Sequence, residues 1–130
     1  MKCLDTDFLI ALLRGVPEAK NKLLELDSEG RHSTTAINAF ELFYGAYKSR
    51  ERKNNLQKVM NLLERLDVIP FELESSEIAG ETSAFLSSRG ESIDFRDAMI
   101  AAVAKSKGLT LVSRNRDHFS RFKDLKLEAW

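Results

Sequence analysis

The sequence predicts an α/β domain, a mainly parallel sheet of about five strands flanked by helices, and three observations carry that prediction. Short apolar runs of strand length, such as DVIPF and LTLVS, alternate with longer segments whose apolar residues recur at helical spacing. The connections are short and marked by glycine or proline, which suits the crossover units of a parallel sheet. The chain of 130 residues can bury one core and is too short for two ordinary domains, so residues 1–130 are read as a single domain.

Taken in order, Lys2 to Asp5 reads as a strand, and Phe8 to Leu13 as a helix that stops at Gly15 with Pro17 beyond. Glu18 to Leu26 carries leucines among charges and reads as a second helix, ended by Glu29-Gly30. His32-Ser33-Thr34 is a short extended segment. Ala36 to Tyr47 is an apolar helix, and Arg50 to Leu66 an amphipathic one with Leu56, Val59, Met60, Leu63 and Leu66 facing inward. Asp67 to Phe71 is a strand whose proline favours an end or an edge. Ser75 to Arg89 is a helix closed by Gly90, and Asp97 to Lys107 one closed by Gly108. Leu109 to Ser113 and Leu125 to Glu128 supply the last strands.

Composition excludes several classes. Twenty basic residues balance twenty acidic ones, so there is no global cationic field and any nucleic-acid surface must be local. The single cysteine, Cys3, rules out a disulfide framework or a cysteine-based zinc knuckle, and its apolar neighbourhood reads as a buried, inert thiol. The run from Phe8 to Leu13 is too short for a signal-peptide core, and Asp5 and Asp7 stand where basic residues would. No later stretch has the ~18 apolar residues of a membrane span. A soluble cytoplasmic protein is expected.

In an open parallel sheet, ligands gather beyond the carboxyl ends of the strands. Asp5 follows the first strand, and Ser113 to Asp117 follow the fourth. Glu41 is the only charged residue in STTAINAFELFYGAY, where a desolvated carboxylate costs several kcal/mol unless a metal ion or buried arginine compensates it. The alternative is a narrow solvent stripe shared with Asn38 and Gly45. Asp97 opens a nearly uncharged helix; as its third residue, after Asp94 as N-cap, it can equally serve the helix dipole. Asn115 and Asp117 lie among Arg114, Arg116 and His118 in what reads as an ordinary polar loop.

His32 and His118 are far apart and lack zinc-ligand spacing, so both are expected on the surface or in loops. No phosphate-binding glycine motif or serine-hydrolase elbow is present. What remains is an all-oxygen, carboxylate-rich site, which selects hard cations such as Mg2+ or Mn2+. Crowded carboxylates raise one another's pKa unless cations neutralise them.

The segments LDTDFLIALLRG, STTAINAFELFYGA, GESIDFRDAMIAA and GLTLVSRNRDHFSRF, with a closing KLEAW, occur in order over almost the whole chain. Together they resemble the PIN-domain ribonucleases, and within them the VapC-type toxins of toxin-antitoxin pairs. The resemblance implies a PIN-like three-layer α/β/α fold and a metal-dependent endoribonuclease that hydrolyses single-stranded RNA through metal-activated water. It implies Asp5, Glu41 and Asp97 as the carboxylates of a Mg2+ or Mn2+ site. The family's fourth acidic position falls at Asn115, with Asp117 as a substitute nearby and Asp94 as an outer contact. Thr6 is expected to orient a carboxylate or water, Asp7 to cap the first helix, and Arg96, Arg114 and Arg116 to meet RNA phosphates. A VapB-type antitoxin and a homodimer are the implied partners. An RNA-maturation nuclease and a non-catalytic PIN-like binding module remain as alternatives.

Overall fold

The computed structural model describes residues 1–130, with strands and helices alternating along the chain. The first half runs β1 (Lys2–Leu4), α1 (Thr6–Leu13), α2 (Pro17–Asp27), β2 (Ser33–Thr35), α3 (Ala36–Lys48) and α4 (Arg52–Glu64). The second runs β3 (Asp67–Ile69), α5 (Leu73–Ser88), α6 (Phe95–Ser106), β4 (Thr110–Val112), α7 (Arg116–Phe119) and β5 (Leu127–Glu128). The five strands form one sheet in the order β3-β2-β1-β4-β5, and every pairing is parallel. The strand order reverses between β1 and β4, and at such a switch point the loops leaving the two strands part to opposite faces and open a crevice.

Alternation along the central strands divides the core in two. Leu4 and Val112 face one side with Phe8, Leu9, Leu26, Leu42 and Val59, whereas Cys3 and Leu111 face the other with Ile100, Phe119 and Phe122. Strand β2 departs from this apolar rule, for Ser33, Thr34 and Thr35 are all fully buried. Their hydroxyls are satisfied: Ser33 donates to the Lys2 carbonyl at 3.0 Å and Thr34 to the Leu4 carbonyl at 2.7 Å. Two side chains of β2 thereby bond to the backbone of β1 and fix their registry. No helix is long and apolar enough to cross a membrane.

Three expectations need correction. His32 lies in the loop before β2, one of the two places expected, but is buried there rather than on the surface: its Nδ1 accepts from the Lys2 N–H at 3.0 Å and its Nε2 meets the Leu26 carbonyl at 2.7 Å, so the ring bridges β1 and α2. Met60 points outward and Leu62 packs against the core in its place. The polar segment after β4 contains a helical turn, α7, because fully buried Phe119 anchors a stretch whose local composition favours a loop. The edge position of β3, just before Pro70, agrees with the proline reading.

Leu111 lies at the middle of β4, paired on both sides, with no solvent exposure. Leu111→Ala is expected to lower stability by about 2–5 kcal/mol, through lost burial and the cavity left behind. Urea denaturation measures this, and a loss below about 1 kcal/mol would contradict the packing described.

Candidate active site at the sheet switch point

The chain leaves β1 directly into α1, so Asp5 stands at the helix N-cap with extended backbone (φ −77°, ψ 161°). An aspartate there ordinarily caps the first turn, yet this side chain makes no capping bond. Its oxygens turn elsewhere: Asn38 Nδ2 donates to Oδ1 at 3.0 Å, and Ser113 Oγ to Oδ2 at 2.7 Å. Both donors are neutral, and no cationic side chain pairs with Asp5. Burial therefore dominates and pushes its pKa up to about 7, with the Ser113 hydrogen bond opposing and the Asp7 charge adding to the rise.

Asn38 is itself wholly buried and uses every hydrogen-bonding position. Its Oδ1 accepts from the Thr35 backbone N–H and hydroxyl at 3.1 and 2.7 Å, while its Nδ2 donates to Asp5 and to Thr6 Oγ1 at 3.0 and 2.8 Å. Thr35 Oγ1 accepts in return from the Asn38 N–H, a reciprocal cap that starts α3 at this residue. One turn further, Glu41 Oε1 accepts from Thr6 Oγ1 at 2.9 Å. The solvent-stripe reading of Glu41 fails at Asn38, which is interior, although Gly45 is exposed and Glu41 itself is half-buried. Burial raises the Glu41 pKa, and the Thr6 hydroxyl and Arg96, 3.8 Å away, moderate the rise.

Helix α6 brings Asp97 to the same crevice from its first turn. Asp94 is the N-cap, as expected, accepting from the Arg96 N–H at 2.8 Å. It also grips the Arg96 guanidinium at 3.2 Å, and hydrogen bonding to Arg96 holds its carboxyl below the ordinary range. Asp94 thus touches the site only through Arg96. Asp5, Thr6, Asp7, Glu41, Asp97, Arg114 and Asn115 line an open cleft of about 500 Å3, with Ile10 as its one apolar wall. Arg116 and Asp117 are exposed on α7 and do not line it. Asp117 is therefore not placed to substitute for Asn115.

Asp7 does not cap α1 but lies within its first turn. Its carboxylate accepts from the Ser113 hydroxyl, the Arg114 N–H and the Trp130 indole at 3.2, 2.9 and 3.2 Å, tying three distant residues together. Sequence reasoning places Ser113 beyond the fourth strand and His118 in the loop after it, but gives no site role to either, nor to Asn38 or Trp130. The Thr35-x-x-Asn38 spacing was a usable capping signal, and Ser113 is the first residue beyond β4; nothing local marks the other two. His118 is exposed as expected, but its Nδ1 lies 3.2 Å from Asp97 Oδ2 and 3.2 Å from Asn115 Nδ2.

The donor chemistry fits a hard divalent cation. All candidate ligands are oxygens, and Asp5 is a buried anion with no positive neighbour to offset it. No three acidic, histidine or cysteine side chains converge on one point as they stand, because Glu41 is drawn toward Thr6 and Arg96, and Asp97 toward His118.

A parallel sheet flanked by helices, with carboxylates lining one cleft at its switch point, defines a class, and comparison agrees: residues 2–125 match the PIN domain, and the chain belongs to that family. Within it the chain falls among the VapC ribonucleases. It is 30% identical over 127 residues to the tRNA(fMet)-specific endonuclease VapC of Shigella flexneri, covering 98% of this chain and 96% of that one. Ribonuclease VapC2 of Haemophilus influenzae is 33% identical over 128 residues, at 98% and 96% coverage. Among solved structures, VapBC2 from Rickettsia felis bound to a promoter DNA fragment superposes with a TM-score of 0.89 at 30% identity, covering 99% of this chain and 98% of that one.

The raised Asp5 pKa has a defined consequence for stability. Below the ordinary value of 3.8 both folded and unfolded chains hold the proton; as pH rises toward about 7 the unfolded chain releases it first. Stability therefore falls across that window and levels off above it. At ~1.4 kcal/mol per pH unit the full penalty is bounded at about 4 kcal/mol. Asp5→Asn removes the buried charge, while the Ser113 hydroxyl can accept from the new amide and donate to Asp7. This variant is expected to be about 1–3 kcal/mol more stable than wild type at pH 8, with the gap closing by pH 4. Urea titrations at the two pH values test this; a gap independent of pH would refute it.

Proposed function

We propose that the protein is a Mg2+- or Mn2+-dependent endoribonuclease, the toxin of a VapBC-type pair, which hydrolyses single-stranded RNA in the cytoplasm. The observation that carries the reading is Asp5, a buried carboxylate satisfied by neutral donors only and opening onto an acidic cleft. Such a group destabilises the metal-free fold and becomes favourable once a cation shares its charge.

Asp5, Glu41 and Asp97 are the residues that would hold the ion, with Asn115 beside them at the cleft wall. The chemistry supplied by the ion, when bound, is a water of lowered pKa and an offset to the charge gathering on the phosphodiester. The chain's own residues prepare that event. Asn38 and Ser113 fix Asp5, and Thr6 orients Glu41. Arg96 and Arg114 stand at the cleft to meet phosphate oxygens. Hydrolysis forms a bond from the water oxygen to phosphorus as the bond to the leaving oxygen breaks; the water gives up a proton, and the leaving oxygen acquires one. A covalent route through the cysteine is unsupported, since burial pushes the Cys3 thiol up to about 12 and it faces the core.

The partner side of the reading draws on the relatives, whose solved structures include VapBC complexes from Rickettsia felis and Salmonella typhimurium. A groove between α1, α3 and α4, walled by Ile10, Leu13, Leu42, Ala46 and Val59, reaches the cleft at Glu41. An antitoxin segment with an apolar face would fit the groove and end at the acidic site. A homodimer is also part of the reading. Helix α3 exposes Phe40, Tyr44 and Tyr47 along one side, with Phe40 and Tyr44 stacked at 6.0 Å, the kind of apolar patch that subunit pairing covers.

The purified protein is expected to cleave a single-stranded RNA or a tRNA, with initiator tRNA the first to try given the Shigella relative's name. EDTA should abolish cleavage, and Asp5→Asn, Glu41→Gln or Asp97→Asn should each reduce it by about 10²–10³-fold. Mg2+ should raise the melting temperature of wild type at pH 8 more than that of Asp5→Asn. Full activity in EDTA, or equal Mg2+ stabilisation of both proteins, would overturn the metal reading. Cleavage of duplex DNA alone would overturn the toxin reading.

A further inference from the structure

Three arginines were candidates for RNA contacts, and the structure separates them. Arg96 is engaged by Asp94 and faces Glu41. Arg116 lies off the cleft. Arg114 lines the cleft, is exposed, and pairs with no side-chain carboxylate. A guanidinium with no side-chain carboxylate to neutralise it, beside several anions, is poised for an anionic ligand.

Its orientation is set by a residue 16 positions away. The Arg114 guanidinium lies 3.6 Å from the centroid of the Trp130 ring, and its Nε donates to the main-chain oxygen of Trp130 at 3.0 Å. The remaining N–H groups of the fork have no protein acceptor. Trp130 is in turn held by its indole N–H on Asp7 Oδ1 at 3.2 Å and by edge-on packing against Phe8 at 5.3 Å. The other Asp7 oxygen accepts the Arg114 backbone N–H at 2.9 Å, so one carboxylate anchors both partners of the stack. Guanidinium planes stacked on indole lose fewer rotamers when they bind phosphate than free arginines do.

We propose that Trp130 is a positioning residue for the substrate, holding the Arg114 fork at the cleft so that its free edge takes an RNA phosphate next to the one being cut. The proposal rests on the ribonuclease reading above and assigns to Trp130 and Asp7 a role that acts through Arg114. Trp130 is the only tryptophan in the chain, so its fluorescence reports on the stack directly.

Two measurements test this. In cleavage kinetics, Trp130→Leu is expected to raise KM by about 5–20-fold with kcat within about twofold, and Trp130→Phe, which keeps an aromatic face and the contact with Phe8, to recover part of the loss. In an Arg114→Ala background, Trp130→Leu should add less than about a twofold further effect, because the two act as one unit. In binding, the Asp97→Asn protein should change its indole emission when titrated with a single-stranded RNA oligonucleotide, and the Asp97→Asn/Arg114→Ala protein should not, at RNA concentrations shown by anisotropy to be saturating. Multiplicative effects of Trp130→Leu and Arg114→Ala on kcat/KM, or an emission change that survives loss of Arg114, would overturn the proposal and leave the nuclease reading intact. A wild-type protein that neither binds nor cleaves RNA would overturn both.

Discussion

The desolvation of one carboxylate organises this molecule. Asp5 sits where the first strand becomes the first helix, and both of its oxygens are drawn inward by Asn38 and Ser113, away from the capping role its position offers. Placing an anion there opposes folding, and the surrounding elements are arranged around that opposition. The buried hydroxyls of β2 lock its registry to β1, the Thr35–Asn38 cap fixes where α3 begins, and the end of β4 presents Ser113. Each of these would be an unsatisfied buried polar group without its partners. The polar network is consequently shared between the fold and the site, and its parts support one another.

Much of this was legible in the sequence because charge is conspicuous against an apolar background. Glu41 in an otherwise uncharged helix and Asp97 ahead of an apolar run stood out on desolvation grounds alone, and alternation of strand and helix placed Asp5 at a strand end. The resemblance to the PIN family joined the three. The neutral residues stayed hidden, since a serine or asparagine acquires its role from what the tertiary structure sets beside it. Asn38 enters the sequence reading only as part of an alternative solvent stripe, although it is interior. Asp7 was misread for the same reason: the local signal was a helix cap, whereas its partners lie more than 100 residues on. His32 belongs to this group too, a buried bridge between two elements whose contact no local pattern announces.

The cleft also shows how little regular structure is needed to gather distant side chains. Four of the five strands have three residues and β5 has two, yet the order of those strands decides which loops become neighbours. Helix geometry supplies the finer placement: Asn38 and Glu41, three residues apart on α3, present one side chain to Asp5 and the other to Thr6. Arginine and acid are kept in register by local pairs such as Asp94 with Arg96, so the cleft retains cations without quenching its carboxylates.

The hydrogen bond from Ser113 to Asp5 spans 108 residues of chain. The amino-terminal portion carries Asp5, Thr6, Asn38 and Glu41, and the remainder carries Asp97, Ser113 and Arg114, so neither portion contains a cleft. Contacts of such separation form only when the sheet closes across its switch point, late relative to local helices. A nascent, misfolded or clipped chain therefore lacks the assembled site altogether. Topology is then a safeguard: the acidic cleft arises only together with the complete folded surface around it.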